Sequence, residues 1–103
     1  MNEEEQRILG ATRILRAAVD EVMAQKQLDR AEDVIGIPTT IPRGNLSSSR
    51  YDDAIEHLLL LGAIERDAET DEANQVLSGV VGGPEAFKIT QSGIDLLRRV
   101  GLL

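Results

Sequence analysis

The sequence predicts a mainly helical domain with a small antiparallel β-hairpin near its C-terminal end. Three observations carry that prediction. Residues from Ser47 to Leu61 follow a helical apolar period and stop at Gly62. Two short alternating stretches, Ala63-Ile64-Glu65-Arg66 and Phe87-Lys88-Ile89-Thr90, flank a long polar and glycine-rich passage. A second helical period runs from Thr90 to the end. With 103 residues, the chain has the length of a single domain.

The first helix is expected from Glu3 to about Gln27. Ile8, Ala11, Leu15, Ala18, Val19 and Val22 recur at spacings of three and four, while Arg7, Arg13, Arg16 and Glu21 lie off that stripe. Asn2 is placed to cap it, and Glu3, Glu4 and Glu5 put negative charge at the positive end of the helix dipole. Leu9, Ile14 and Met23 widen the stripe, which fits either one broad internal contact or a seam with a second copy. A shorter helix is expected from Leu28 or Asp29 to about Ile35, closed by Gly36. The connection from Ile37 to Leu46 contains Pro38 and Pro42 and so favours extended backbone, with room for a short strand around Thr39 to Ile41.

In the central helix, Tyr51, Ile55, Leu58 and Leu59 share one face, and Ser49 with Asp52 fits a capping box. Beyond it, Asp67 to Glu85 carries five acids and no base. Within that passage Val76, Leu77, Val80 and Val81 could extend the second strand or cover the core, and Gly82-Gly83-Pro84 reads as a turn. A loop this long is uncommon unless it is functional or mobile, so disorder is expected here first. In the last helix Thr90 is the expected cap, with Leu96, Leu97 and Val100 as the buried stripe and Ile94 at its edge. Leu102 and Leu103 are expected to pack on the first helix or on a partner subunit.

The run Leu58-Leu59-Leu60-Leu61-Gly62-Ala63-Ile64-Glu65, and the later Phe87-Lys88-Ile89-Thr90-Gln91-Ser92-Gly93-Ile94-Asp95-Leu96-Leu97, resemble the second half of a winged helix-turn-helix domain of the bacterial and archaeal transcription-regulator type. The resemblance implies one winged-helix domain over residues 1–103, duplex DNA as partner and action as a homodimer. It places the start of the central helix in the major groove. The residues it nominates are Ser47, Ser48, Arg50, Asp53 and His57 on that helix, Arg43 before it, and Lys88 near the wing for phosphates. The connection between the second and third helices is longer than the three or four residues of a helix-turn-helix.

Charge sets limits on that expectation. The formal net charge is -7, and from Asn45 to Arg66 the acids Asp52, Asp53, Glu56 and Glu65 outnumber Arg50 and Arg66. A polyanion is repelled by such a surface, and these charges are also what an ordinary solvated helix face carries. The acidic wing, the long connection and the apolar patch from Gln75 to Val81 suit an alternative, a protein-interaction module that binds no nucleic acid.

Other chemistries find little support. One Tyr, one Phe and no Trp leave few platforms for stacking bases. Without cysteine there are no disulfides and no thiolate metal sites. His57 is the single histidine and lacks the neighbours a metal or catalytic centre needs, and Gly79 to Gly83 lacks the Lys and Ser or Thr of a phosphate loop. No enzyme activity, cofactor or metal is expected. The acidic start of the chain and the lack of a long apolar run point to a cytoplasmic protein with no membrane contact.

Overall fold

The computed structural model describes residues 3–67 and 86–103 of the chain. The expectations for the Asn2 cap, the Gln75 to Val81 patch, the Gly82-Gly83-Pro84 turn and disorder in the long loop lie outside those residues.

Helix α1, Glu3–Lys26, buries Ala11, Leu15, Ala18, Val19 and Val22 as its periodicity requires. Ile14 is only 4% exposed and belongs to the same core, which removes it from any seam with a second copy. A charge at Ile14 would therefore unfold the chain and would not split an oligomer. Thr12 is buried too, and its hydroxyl donates to the Ile8 and Leu9 carbonyls of the preceding turn. The helix ends where Gln27 turns left-handed (φ 55°) and the Leu28 amide donates back to the Met23 carbonyl.

The second helix expected over residues 28–35 is replaced by a single 3-10 turn, Ala31–Val34. No side chain caps its start, and its length cannot sustain an α-helix against the cost of nucleation. Contacts from elsewhere hold it instead. Val34 is fully buried, and the Glu32 carboxylate receives Arg98 from the last helix and Arg30 at 3.5 Å.

Strand β1, Pro38–Thr39, follows, as the proline-bearing connection allowed. It pairs antiparallel with β3, Phe87–Ile89, at the edge of the sheet, where a proline's missing N-H does least harm. Strand β2, Ile64–Arg66, pairs with the other side of β3, with Ile64 opposite Ile89 and Arg66 opposite Phe87. The order β1-β3-β2 makes β3 the central strand, and Phe87 and Ile89 are buried beneath it.

Between β1 and α2, Ser48–Leu60, the chain is pinned in place. Ile41 is buried, and the Tyr51 hydroxyl of α2 donates to its carbonyl at 2.6 Å. Tyr51→Phe is expected to lower stability by about 1 kcal/mol, the worth of one hydrogen bond whose acceptor sits in the interior. Urea unfolding of the two chains measures it; identical midpoints would show that the connection is held without this bond. Ser47 caps α2 by accepting from the Arg50 amide at 3.4 Å, so the cap falls two residues before the expected Ser49.

Helix α2 buries Ala54, Ile55 and Leu58. It closes at Gly62 (φ 71°) with paired bonds from the Gly62 amide to the Leu59 carbonyl and from the Ala63 amide to the Leu58 carbonyl. Helix α3, Gln91–Arg99, is capped by Thr90 as expected, through a bond from the Gly93 amide at 3.2 Å. Its buried stripe is Gly93, Ile94, Leu96 and Leu97, with Ile94 at the centre and Val100 41% exposed, the reverse of the expected placement. Leu102 packs on the core, whereas Leu103 remains 40% exposed.

Three helices and a three-stranded antiparallel sheet give a winged-helix architecture, in which α1, α2 and α3 close over one core and β2 and β3 form the base of the wing. Among the described residues, no helix is long and apolar enough to cross a membrane.

Candidate nucleic-acid interface

The first residues of α2 are exposed, and the preceding loop turns sharply into them. Leu46 donates its amide to the Arg43 carbonyl at 3.2 Å, and Gly44 supplies the left-handed step (φ 60°). The Arg43 Nε in turn donates to the Leu46 carbonyl at 2.8 Å, which lays its guanidinium along the approach to the helix. Ser47, Ser48, Ser49 and Arg50 are all exposed there. Ser47 is engaged in capping and its hydroxyl also lies 3.5 Å from that of Ser49, within hydrogen-bond reach, while Ser48 is exposed beside them.

Arg50 opens onto a cleft of roughly 180 Å³ between α1 and α2, lined by Gln6, Arg7, Gly10, Leu46, Arg50, Asp53 and Ala54. The structure thus brings Arg43, Ser47, Ser48 and Arg50 to one end of α2, with Asp53 at the rim. Arg7 and Gln6 were missed by sequence reasoning. Arg7 reads as one more charge off the buried stripe of α1, and nothing in the linear order signals that α2 crosses beside it.

The other two nominated residues lie elsewhere. His57 is half-buried two turns further along α2, about 10 Å from Arg50 at the helical rise. Lys88 sits in the middle of β3, its ammonium 3.9 Å from the carboxylate of Asp67, which is 2% exposed. Its charge offsets a buried acid, and Arg66 lies over the Phe87 ring at 5.9 Å on the same sheet.

No family model and no solved structure matches the chain. A DNA ligase of Chloroflexus aggregans (strain MD-66 / DSM 9485) is 32% identical over 89 residues. The chain is similar to a short stretch of that enzyme. The matched stretch covers 86% of this chain and 13% of the ligase.

Electrostatically the helix has two characters. Its first turn offers hydroxyls and Arg50, next to Arg43 and Arg7. Further along, the outward stripe at spacings of three and four reads Ser49, Asp53, Glu56 and Leu60, flanked by Asp52, all exposed, with Leu60 at 80%. Positive charge is thus gathered beside the first turn and negative charge along the stripe, with Asp53 lining the same cleft as Arg50. Among the described residues no group of acids and histidine is arranged to hold a metal ion.

Proposed function

We propose that the chain is a winged-helix module of the transcription-regulator type that binds duplex DNA end-on, through the first turn of α2. The observation that carries this reading is the gathering of Arg43, Arg50 and Arg7 around one exposed helix start bearing Ser48 and Ser49. Guanidinium groups hold phosphates or a guanine edge, hydroxyls serve as phosphate ligands, and the helix N-terminus adds its positive partial charge. End-on approach follows from the acids: a helix lying lengthwise in the groove would press Asp52, Asp53 and Glu56 against phosphates. The winged-helix architecture and the similarity to a stretch of a DNA ligase both support nucleic acid as the partner.

The test is fluorescence anisotropy of labelled duplexes titrated with the chain across a salt series. Wild type is expected to bind more weakly as salt rises. Arg43→Ala should flatten the salt dependence by about one unit of slope, because one phosphate fewer is neutralised. Arg50→Ala should cost about 1–3 kcal/mol if it reads a base edge. Failure of the wild-type chain to bind any duplex at low salt would end this reading.

The outward stripe favours a second reading, a protein-interaction module. Asp53, Glu56 and an almost fully exposed Leu60 make an acidic face with an apolar knob, suited to a basic partner surface with an apolar pocket. Under this reading Leu60→Asp abolishes partner binding, and neither wild type nor variant binds duplex DNA.

A further inference from the structure

The cleft between α1 and α2 offers more than a phosphate needs. At roughly 180 Å³ it is close in size to a cavity of about 150 Å³ that takes one benzene ring, and well below the ~300 Å³ at which pockets for drug-sized ligands begin. Gly10, Leu46 and Ala54, each buried or half-buried, give it an apolar inner wall, and the exposed Gln6, Arg7, Arg50 and Asp53 form its rim. Such a space suits one flat ring system with polar edges.

Asp53 decides which ring system. A carboxylate beside Arg50 repels a bare phosphate, so the rim calls for a ligand that carries acceptors and donors together. Arg50 and Asp53 are three residues apart on α2, which sets their Cβ atoms about 5–6 Å apart on one face. Among the described residues, the bond at Arg50 comes from its backbone amide, and none involves its guanidinium or the Asp53 carboxylate. Of the four DNA bases, guanine matches this pair. Its O6 and N7 are adjacent acceptors for a guanidinium fork, and its N1–H and 2-amino group are adjacent donors for a carboxylate. Adenine sets N7 beside an amino group and so cannot accept both bonds of the fork.

We propose that the cleft holds the guanine base of a nucleotide, with O6 and N7 on Arg50, N1–H and the 2-amino group on Asp53, and the ring against Gly10, Leu46 and Ala54. The attached phosphate lies toward Arg7 and Arg43, the second of which is fixed to the Leu46 carbonyl at the cleft wall. Recognition by edge and by an aliphatic wall needs no aromatic platform, which suits a chain with one Tyr and one Phe. Two sources carry this chemistry, a free guanine nucleotide and an unpaired guanosine of a DNA strand. The inference rests on the proposed assignment of Arg43 and Arg50 to nucleic-acid chemistry and adds a role for Asp53.

Calorimetric titration of the full chain with guanosine and adenosine monophosphate tests it, beside anisotropy of labelled duplexes ending in one unpaired guanosine or one unpaired adenosine. Guanosine is expected to be favoured about 5–150-fold in at least one of the two assays, the worth of one bidentate pair. A preference among the free nucleotides alone identifies a free ligand, and a preference among the duplexes identifies a strand guanosine. Asp53→Asn separates base contact from charge. Removing a carboxylate strengthens every nucleotide alike through charge, whereas losing the base contact abolishes the guanine preference and leaves adenosine binding no weaker. Arg50→Ala should abolish the preference as well. Both positions are exposed, and circular dichroism checks that the variants keep the wild-type helix content. Equal binding of guanosine and adenosine in both assays overturns the proposal, as does a preference that survives Asp53→Asn. Binding of blunt duplex with no guanine preference leaves the duplex reading standing and removes this one, and guanine-selective binding of the free nucleotide without duplex binding does the reverse.

Discussion

Phe87→Ala is expected to lower the stability of the domain by about 3–5 kcal/mol, the range for removing a buried aromatic ring. The size of the effect follows from where β3 lies. It is the central strand, paired through Phe87 with Thr39 on one side and Arg66 on the other, so a cavity there undermines both strand pairings. Phe87 is 2% exposed and is the chain's single phenylalanine, set in a core built mostly from aliphatic side chains that cannot rearrange to fill a ring's volume. Its loss also removes the ring over which Arg66 lies. Urea unfolding should show a lowered midpoint, with Ile89→Val as a mild companion costing about 0.5–1.5 kcal/mol. A loss below about 1 kcal/mol for Phe87→Ala would mean that the ring is not packed between sheet and helices. Typical domains have about 5–15 kcal/mol in total, so this variant is unsuited to binding assays.

Much of this architecture was legible because local signals and burial agree. The apolar stripe of α1, the glycine closing α2, the Thr90 cap and the pairing of the two alternating stretches each follow from chemistry within a few residues. What could not be read depends on contacts distant in sequence. Residues 31–34 look like part of a helix, but Arg98, far along the chain, holds Glu32 in a 3-10 turn. Three consecutive serines offer equivalent caps to α2, and the turn that binds Arg43 to Leu46 sets the start at Ser47. In the candidate site, the run from Arg43 to Arg50 is contiguous in sequence and could be nominated. Arg7 enters the site only because α1 and α2 cross there.

The same dependence on distant contacts explains why Ile94 and Val100 exchange roles. Gly93 lies directly against the Ala63 backbone at the start of β2, and this contact rotates α3 so that Ile94 and Leu97 point inward and Val100 swings toward solvent. Gly93→Ala is accordingly the second large effect expected. A Cβ at this position would stand 2.3 Å from the Ala63 carbonyl oxygen and 3.3 Å from Ile89 Cγ2. The oxygen is backbone, and it already accepts the Thr90 amide at 3.1 Å, so it cannot yield as a side chain would. Nor can α3 retreat freely, because the Thr90 hydroxyl donates to the Gly62 carbonyl while accepting from the Gly93 amide. Alanine gains about 1 kcal/mol over glycine in a helix, but overpacking of about 3 kcal/mol or more outweighs it, for a net loss of about 2 kcal/mol. Gly10→Ala supplies the opposite sign within the same chain. Its Cβ would meet only the Leu46 methyls, at 3.4 Å and beyond, so the propensity gain should survive as a stabilisation of about 0.5–1 kcal/mol. Denaturant unfolding of both variants measures the contrast. If Gly93→Ala were as stable as wild type, α3 could not approach the Ala63 backbone this closely.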